Sequence, residues 1–127
     1  MTDIALAELV ERLDDPELVL LDVRRADEFA GEVVAPCDPR AGRIPGARHL
    51  DVARLLDAPD AETVRALVGA EAGAEVVAYC HSGSRSAMAV HVLVAAGYDA
   101  RNYVGSWHEW SRNAELPAET GSDPAGV

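Results

Sequence analysis

No lysine occurs in the 127 residues, and the eleven basic positions are all arginine. Chemistry routed through a lysine Schiff base is thereby excluded. Basic runs are missing as well: the arginines are scattered, with nothing longer than the Arg24-Arg25 pair, against a formal net charge of −11. Such a surface repels polyanions, which argues against nucleic acid and anionic membrane as partners. A small anion still responds to the local field of a cleft more than to the total charge. The opening residues Met1-Thr2-Asp3-Ile4-Ala5 lack the basic segment and apolar stretch of an export leader. No apolar run reaches the length of a membrane span, so a cytoplasmic location is expected. Cysteine is scarce: Cys37 and Cys80 alone imply no disulfide framework, and in a reducing compartment both are thiols.

What is present reads as one globular domain, with 49% hydrophobic residues and enough length for a single core. Ile4 is placed to begin a short strand, and Leu6, Leu9, Val10 and Leu13 follow at the spacing of one helical face. Leu18 to Leu21 is a continuous apolar run ending in Asp22, as expected of a strand covered on both faces. Ala26 to Ala30 reads as a short helix. From Gly31 to Gly46, three prolines and the glycines predict a long irregular excursion over the surface. Ala47 to Leu50 returns as a brief strand, followed by helical segments near 52–56 and 61–70. Val76 to Tyr79 is a second strong strand, running straight into Cys80. Ser86 is placed as the N-cap of a nearly all-apolar helix to Ala96, which Gly97 ends. A last strand is expected near 100–104 and a helical turn near 106–112. Strands alternating with helices predict an α/β domain over 1–112 with a mainly parallel sheet. Residues 113–127, rich in Pro, Gly, Ser and acids, read as a short, weakly structured tail.

Ligands of open α/β sheets sit beyond the carboxyl ends of the strands, and the loop Cys80-His81-Ser82-Gly83-Ser84-Arg85-Ser86 occupies that place. Small residues let successive backbone N–H groups converge, and the following helix adds its positive end. An anion cradle results, and a cysteine at its mouth gains acidity from the donors that hold an anionic substrate. Cys80 is therefore expected to be largely thiolate near neutral pH. The competing reading is a buried structural cysteine at a strand end.

Four ordered stretches resemble the rhodanese family: Leu20-Leu21-Asp22-Val23-Arg24 with Glu28-Phe29, then Gly42-Arg43-Ile44-Pro45-Gly46-Ala47, then Cys80 to Ser86, then Tyr103-Val104-Gly105-Ser106-Trp107. The resemblance covers roughly residues 4–112 and implies a rhodanese-like α/β fold in single-domain form. Its central, mainly parallel sheet would have five strands, with helices on both faces. The Gly105 to Trp110 stretch is similar to the catalytic half of tandem thiosulfate and mercaptopyruvate sulfurtransferases. What this implies is a two-step exchange. Cys80 takes the outer sulfur of a small anionic donor such as thiosulfate, and its persulfide passes that sulfur to a thiol or cyanide acceptor, a protein acceptor included. Thiolate attack on sulfur requires no metal or organic cofactor.

Around Cys80, residues 81–85 are the expected donor-binding positions, supported by Asp22, Arg24, Glu28 and Ser86. Arg85 suits either a sulfonate oxygen or an ion pair to Asp22 or Glu28. Asp22, Arg24 and Glu28 read mainly as scaffold, with Arg24 and Glu28 spaced to pair with each other. His81 reads as a surface histidine, since a thiolate formed by the cradle needs no general base. Cys37 reads as a bystander thiol unless proximity makes it a resolving partner, and Trp107 and Trp110 read as core. Two other functions stay open. A phosphatase or arsenate reductase uses a similar loop, but with five residues between Cys and Arg, where Cys80 and Arg85 enclose four. A persulfide carrier or redox adaptor that docks to a partner enzyme without turnover shares the same Cys80 chemistry.

Overall fold

The computed structural model describes residues 3–121; Met1, Thr2 and 122–127, the end of the expected tail, lie outside the described residues. The elements run α1 (Leu6–Arg12), β1 (Val19–Asp22), α2 (Ala26–Ala30), β2 (Arg48–His49), α3 (Val52–Asp57), α4 (Ala61–Val68), β3 (Glu75–Tyr79), α5 (Ser84–Ala95), β4 (Asp99–Asn102) and α6 (Ser106–Trp110). Strand order is β2-β1-β3-β4, and every pairing is parallel. The sheet has four strands and not the expected five. The Ile4 segment makes only an isolated parallel bridge, Asp3 to Asn102, with Ile4 N–H donating to the Asn102 carbonyl at 3.0 Å. Helix α1 starts at Leu6 and leaves no length for a ladder.

The apolar runs of β1 and β3 are covered on both faces, and the two-residue period of a strand sorts their side chains. Leu21, Val76, Ala78 and Cys80 face one core with Leu55, Val64, Val68, Ala89 and Leu93 of α3, α4 and α5. Leu20, Val77 and Tyr79 face the other, with Leu9, Phe29, Trp107 and Trp110 of α1, α2 and α6. Helices thus flank both faces, and both tryptophans are core residues, each no more than 1% exposed.

From β1 the chain leaves to β2 on one side and later returns to β3 on the other, so the order of connection reverses between β1 and β3. The crevice beyond their carboxyl ends is where such a sheet offers a ligand site. Asp22 and Cys80 lie at those two ends.

The 31–46 excursion does not simply cross the surface, because Asp38, Arg43 and Ile44 within it are buried. Tyr79 Oη accepts the Ile44 N–H at 3.1 Å, tying it to β3. Arg40 donates to the carbonyls of Trp110, Ser111, Asn113 and Leu116 at 2.8–3.2 Å, while its own carbonyl accepts Trp107 Nε1–H at 2.9 Å. Residues 113–121 run back along the domain, with Trp110 Nε1–H donating to Pro117 O at 2.8 Å and Arg43 bridging antiparallel to Glu119.

Candidate active site

Helix α5 begins at Ser84 with Gly83 as its N-cap, not at Ser86 as the sequence predicts. The turn needs a left-handed residue, and Gly83 supplies it at φ +99°. A Cβ there would also stand 2.9 Å from the Val104 carbonyl oxygen, so only glycine fits. The Ser86 hydroxyl is thereby released from capping, and it donates instead to Cys80 Sγ at 3.3 Å. Gly83 N–H donates to the same sulfur at 3.1 Å. Asn102, at the end of β4, donates to the Gly83 carbonyl at 3.1 Å and so braces the turn that enters α5.

Cys80 is 1% exposed. Burial pushes its thiol up, but the Ser86 hydroxyl and the amides of Ser86, Gly83 and Ser82 outweigh it, and the net shift is below the ordinary thiol value. A buried cysteine with these donors turned onto its sulfur is set up to favour the thiolate over the thiol, unlike a cysteine packed among apolar groups. Ser86→Ala removes one donor, so the thiolate becomes harder to form. The inflection of the alkylation rate against pH is expected to move to higher pH, with the rate at neutral pH falling roughly three- to tenfold, as loss of one such hydrogen bond implies. Rates of iodoacetamide labelling across pH measure it.

The backbone of the loop is braced by α6, a contribution the sequence reading did not assign. Ser106 Oγ accepts the Cys80 N–H at 3.1 Å and donates to the Tyr103 carbonyl at 2.8 Å. Trp107 and His108 N–H donate to the carbonyls of Cys80 and His81, both at 3.0 Å. Ser106 adopts φ +56°, a left-handed conformation held by these contacts. The serine after Gly105 was the visible signal, but its reach to Cys80 exists only in the fold.

Arg24 does not pair with Glu28. Its guanidinium donates to both Asp22 oxygens at 2.7–3.1 Å and to the Gly42 carbonyl at 2.7 Å, a pair that is 3% and 0% exposed. Burial works against the Arg24 charge, but Asp22 more than offsets it. The cation also lies over the Tyr79 and Trp107 rings, at 5.7 and 5.4 Å. Arg85 resolves toward its ion pair: it meets Glu28 through two hydrogen bonds of 2.8 and 3.2 Å. Burial raises the Glu28 carboxyl, and the Arg85 and Arg25 contacts bring it below the usual range. The side chain of Arg85 stays 29% exposed, enough for its guanidinium to reach a ligand as well. Arg25, Glu28, Val33, Val34, Ala35, His81 and Arg85 line a mainly polar cleft of ≈ 270 Å³ beside the loop. A larger groove of ≈ 340 Å³, lined by Ala87, Val90, His91, Val94 and Asn102, is away from the thiol and more apolar.

His81 is not a plain surface histidine. Its Nε2 lies 2.9 Å from Asp38 Oδ2, and Cys37 Sγ is 3.8 Å from the same nitrogen. Asp38 and His108 were not singled out from the sequence, because the four residues of this cluster come from three segments as far as 71 residues apart.

A cysteine cradled at the head of a helix, at the switch point of a parallel α/β sheet, defines a cysteine-loop domain. Among such domains, the chain belongs to the rhodanese family: the rhodanese-like domain model matches residues 5–113. A Pseudomonas aeruginosa protein named "Probable 3-mercaptopyruvate sulfurtransferase" is 37% identical, the match covering 91% of this chain and 43% of that protein. The thiosulfate sulfurtransferase of the same species is 31% identical over 87% of this chain and 43% of its own length. The crystal structure named "Probable Thiosulfate Sulfurtransferase" superposes with a TM-score of 0.78 at 42% identity, covering 92% of this chain and 47% of that one. An anaerobic ergothioneine biosynthesis enzyme from Chlorobium limicola, in complex with trimethyl histidine, superposes with a TM-score of 0.78 at 27% identity over 94% of this chain and 32% of that one. The chain therefore spans less than half the length of these relatives. No helix among the described residues is long and apolar enough to cross a membrane.

Proposed function

We propose that this domain is a sulfurtransferase that moves a sulfane sulfur from a small anionic donor, thiosulfate or a related compound, through a Cys80 persulfide to a thiol or cyanide. The observation that carries the reading is the pair of donors on Cys80 Sγ, Gly83 N–H at 3.1 Å and the Ser86 hydroxyl at 3.3 Å, in a buried thiol whose acidity is raised. With thiosulfate, the Cys80 thiolate attacks the outer sulfur, the S–S bond breaks, and its electron pair leaves with sulfite. The charge of the resulting persulfide anion rests on its outer sulfur, while Gly83 N–H and the Ser86 hydroxyl stay on Sγ. A thiolate or cyanide then attacks the outer sulfur, and Cys80 returns as thiolate. The names of the relatives support the sulfurtransferase class.

His81 and Arg85 belong both to the loop and to the adjoining polar cleft, which suits the donor oxyanion. Asp22, Arg24 and Glu28 act as scaffold in this reading: the first two join β1 to the excursion, and the third fixes Arg85. Four residues between Cys80 and Arg85 form a tighter ring than a phosphatase loop, in favour of a sulfur substrate. The test is thiosulfate-to-cyanide transfer by the purified chain, run beside the same assay with mercaptopyruvate. Catalytic turnover with either donor is expected. Negligible turnover with both, together with a stoichiometric persulfide loaded by a partner enzyme, would reassign the domain as a sulfur carrier. Ready hydrolysis of an aryl phosphate without sulfur transfer would reassign it as a phosphatase.

A further inference from the structure

Beside the cradle, Cys37 and Asp38 of the excursion, His81 of the loop and His108 of α6 converge, with one ligand atom from each lying within 4.8 Å of all the others. Cys37 Sγ is 3.8 Å from His81 Nε2 and 3.9 Å from His108 Nδ1. Asp38 Oδ1 is 2.9 Å from His108 Nδ1, and Asp38 Oδ2 is 2.9 Å from His81 Nε2. Tetrahedral zinc with thiolate, imidazole and carboxylate ligands separates its donor atoms by about 3.3–3.6 Å, given the usual bond lengths. The observed spacings bracket that range.

Hydrogen bonding alone leaves the cluster unfinished. The Asp38 side chain is 1% exposed, and its Oδ2, though 2.9 Å from His81 Nε2, has no hydrogen-bond donor among the described residues. A carboxylate oxygen buried without a donor is costly, and a cation among these four groups would satisfy it. The surroundings are also preorganised. Arg40 and Arg112 staple the excursion to the chain around α6, and His108 N–H holds the His81 carbonyl at 3.0 Å.

We infer that Cys37, Asp38, His81 and His108 form a four-coordinate site for a borderline-soft divalent cation, with zinc the best match. One thiolate and two imidazoles exclude magnesium and calcium, which take oxygen ligands, and four protein donors close the site against a hydrolytic water. On binding, Cys37 releases its thiol proton to solvent and the two imidazoles ligate as neutral bases. The local charge rises by one unit, two from the ion less one from the lost proton. Because His81 directly follows Cys80, the ion cross-links the nucleophile loop to the excursion and to α6, next to the polar cleft. The site does not depend on the persulfide reading, since none of its four groups is the reacting sulfur.

Cobalt(II) titration of the reduced, chelator-treated full chain tests the site directly. One equivalent is expected to produce a thiolate-to-cobalt charge-transfer band and the intense visible bands of four-coordinate cobalt, both displaced by zinc. Cys37→Ser should abolish the charge-transfer band. His108→Ala should weaken zinc binding by at least about a hundredfold, more than loss of an outer-sphere partner does. Cys80→Ser should leave both the band and the affinity intact. Absence of the band in the wild-type chain overturns the site, as does a band that survives Cys37→Ser but vanishes in Cys80→Ser. Both readouts are independent of sulfur transfer, so failure here and failure of the sulfurtransferase reading are separately visible.

Discussion

Cys80→Ser is expected to lower sulfur transfer by at least about three orders of magnitude, because a hydroxyl is neither ionised near neutral pH nor able to carry sulfane sulfur. The substitution is close to isosteric, and an oxygen at this position still accepts from Gly83 N–H and the Ser86 hydroxyl, so the fold should survive. Intact mass after incubation with thiosulfate gives the sharper readout. The wild-type chain should gain one sulfur atom that dithiothreitol removes, and the variant should gain none. A variant that still gains the sulfur would place it on Cys37, the other thiol of the chain, and would refute the assignment of the nucleophile.

Arg24→Met is expected to cost about 3–5 kcal/mol of stability, because it leaves the Asp22 carboxylate buried without its partner. The pair is 3% and 0% exposed, so solvent cannot take over the lost contacts. The same change also removes the bond to the Gly42 carbonyl and the stacking over Tyr79 and Trp107. A fall in Tm of more than about 10 °C follows for a domain of this size. Asp22→Asn in addition to Arg24→Met should cost much less than the two single changes summed, since the stranded charge is then gone. Strictly additive losses in denaturant titrations would show that the pair is not coupled.

The parts of the molecule legible from residue order are those in which neighbouring residues cooperate. The runs Leu18 to Leu21 and Val76 to Tyr79 declared strands covered on both faces, because a side chain with no polar alternate position has no wet face to offer. The Cys80 to Ser86 loop was legible for a related reason: a strand end, small residues and a helix start determine where the peptide N–H groups point. Even there the N-cap of α5 was off by three residues. Ser86 satisfies a generic capping preference, but Gly83 takes the left-handed turn, and the hydroxyl goes to the sulfur. The Ile4 strand failed on length, as one bridge to Asn102 is all that the segment before α1 permits.

The partners of the charged side chains were not legible. Arg24 is spaced to meet Glu28 on a helical turn, yet it turns back to Asp22 because its own backbone lies before α2, where the buried carboxylate is nearer. Arg85 suited two partners in the sequence, and only the placement of α2 beside α5 gave it Glu28.

By itself the sequence determined an α/β domain of the rhodanese family, the loop at a strand end that carries Cys80 and the absence of lysine chemistry, because each of these follows from local pattern. Tertiary structure alone decided which groups stand around Cys80: the brace from Ser106, the Asn102 contact to the Gly83 carbonyl, and the gathering of Cys37, Asp38, His81 and His108. The physical reason is that contacts between distant segments depend on how helices and loops pack across the sheet, and no periodicity along the chain encodes that packing.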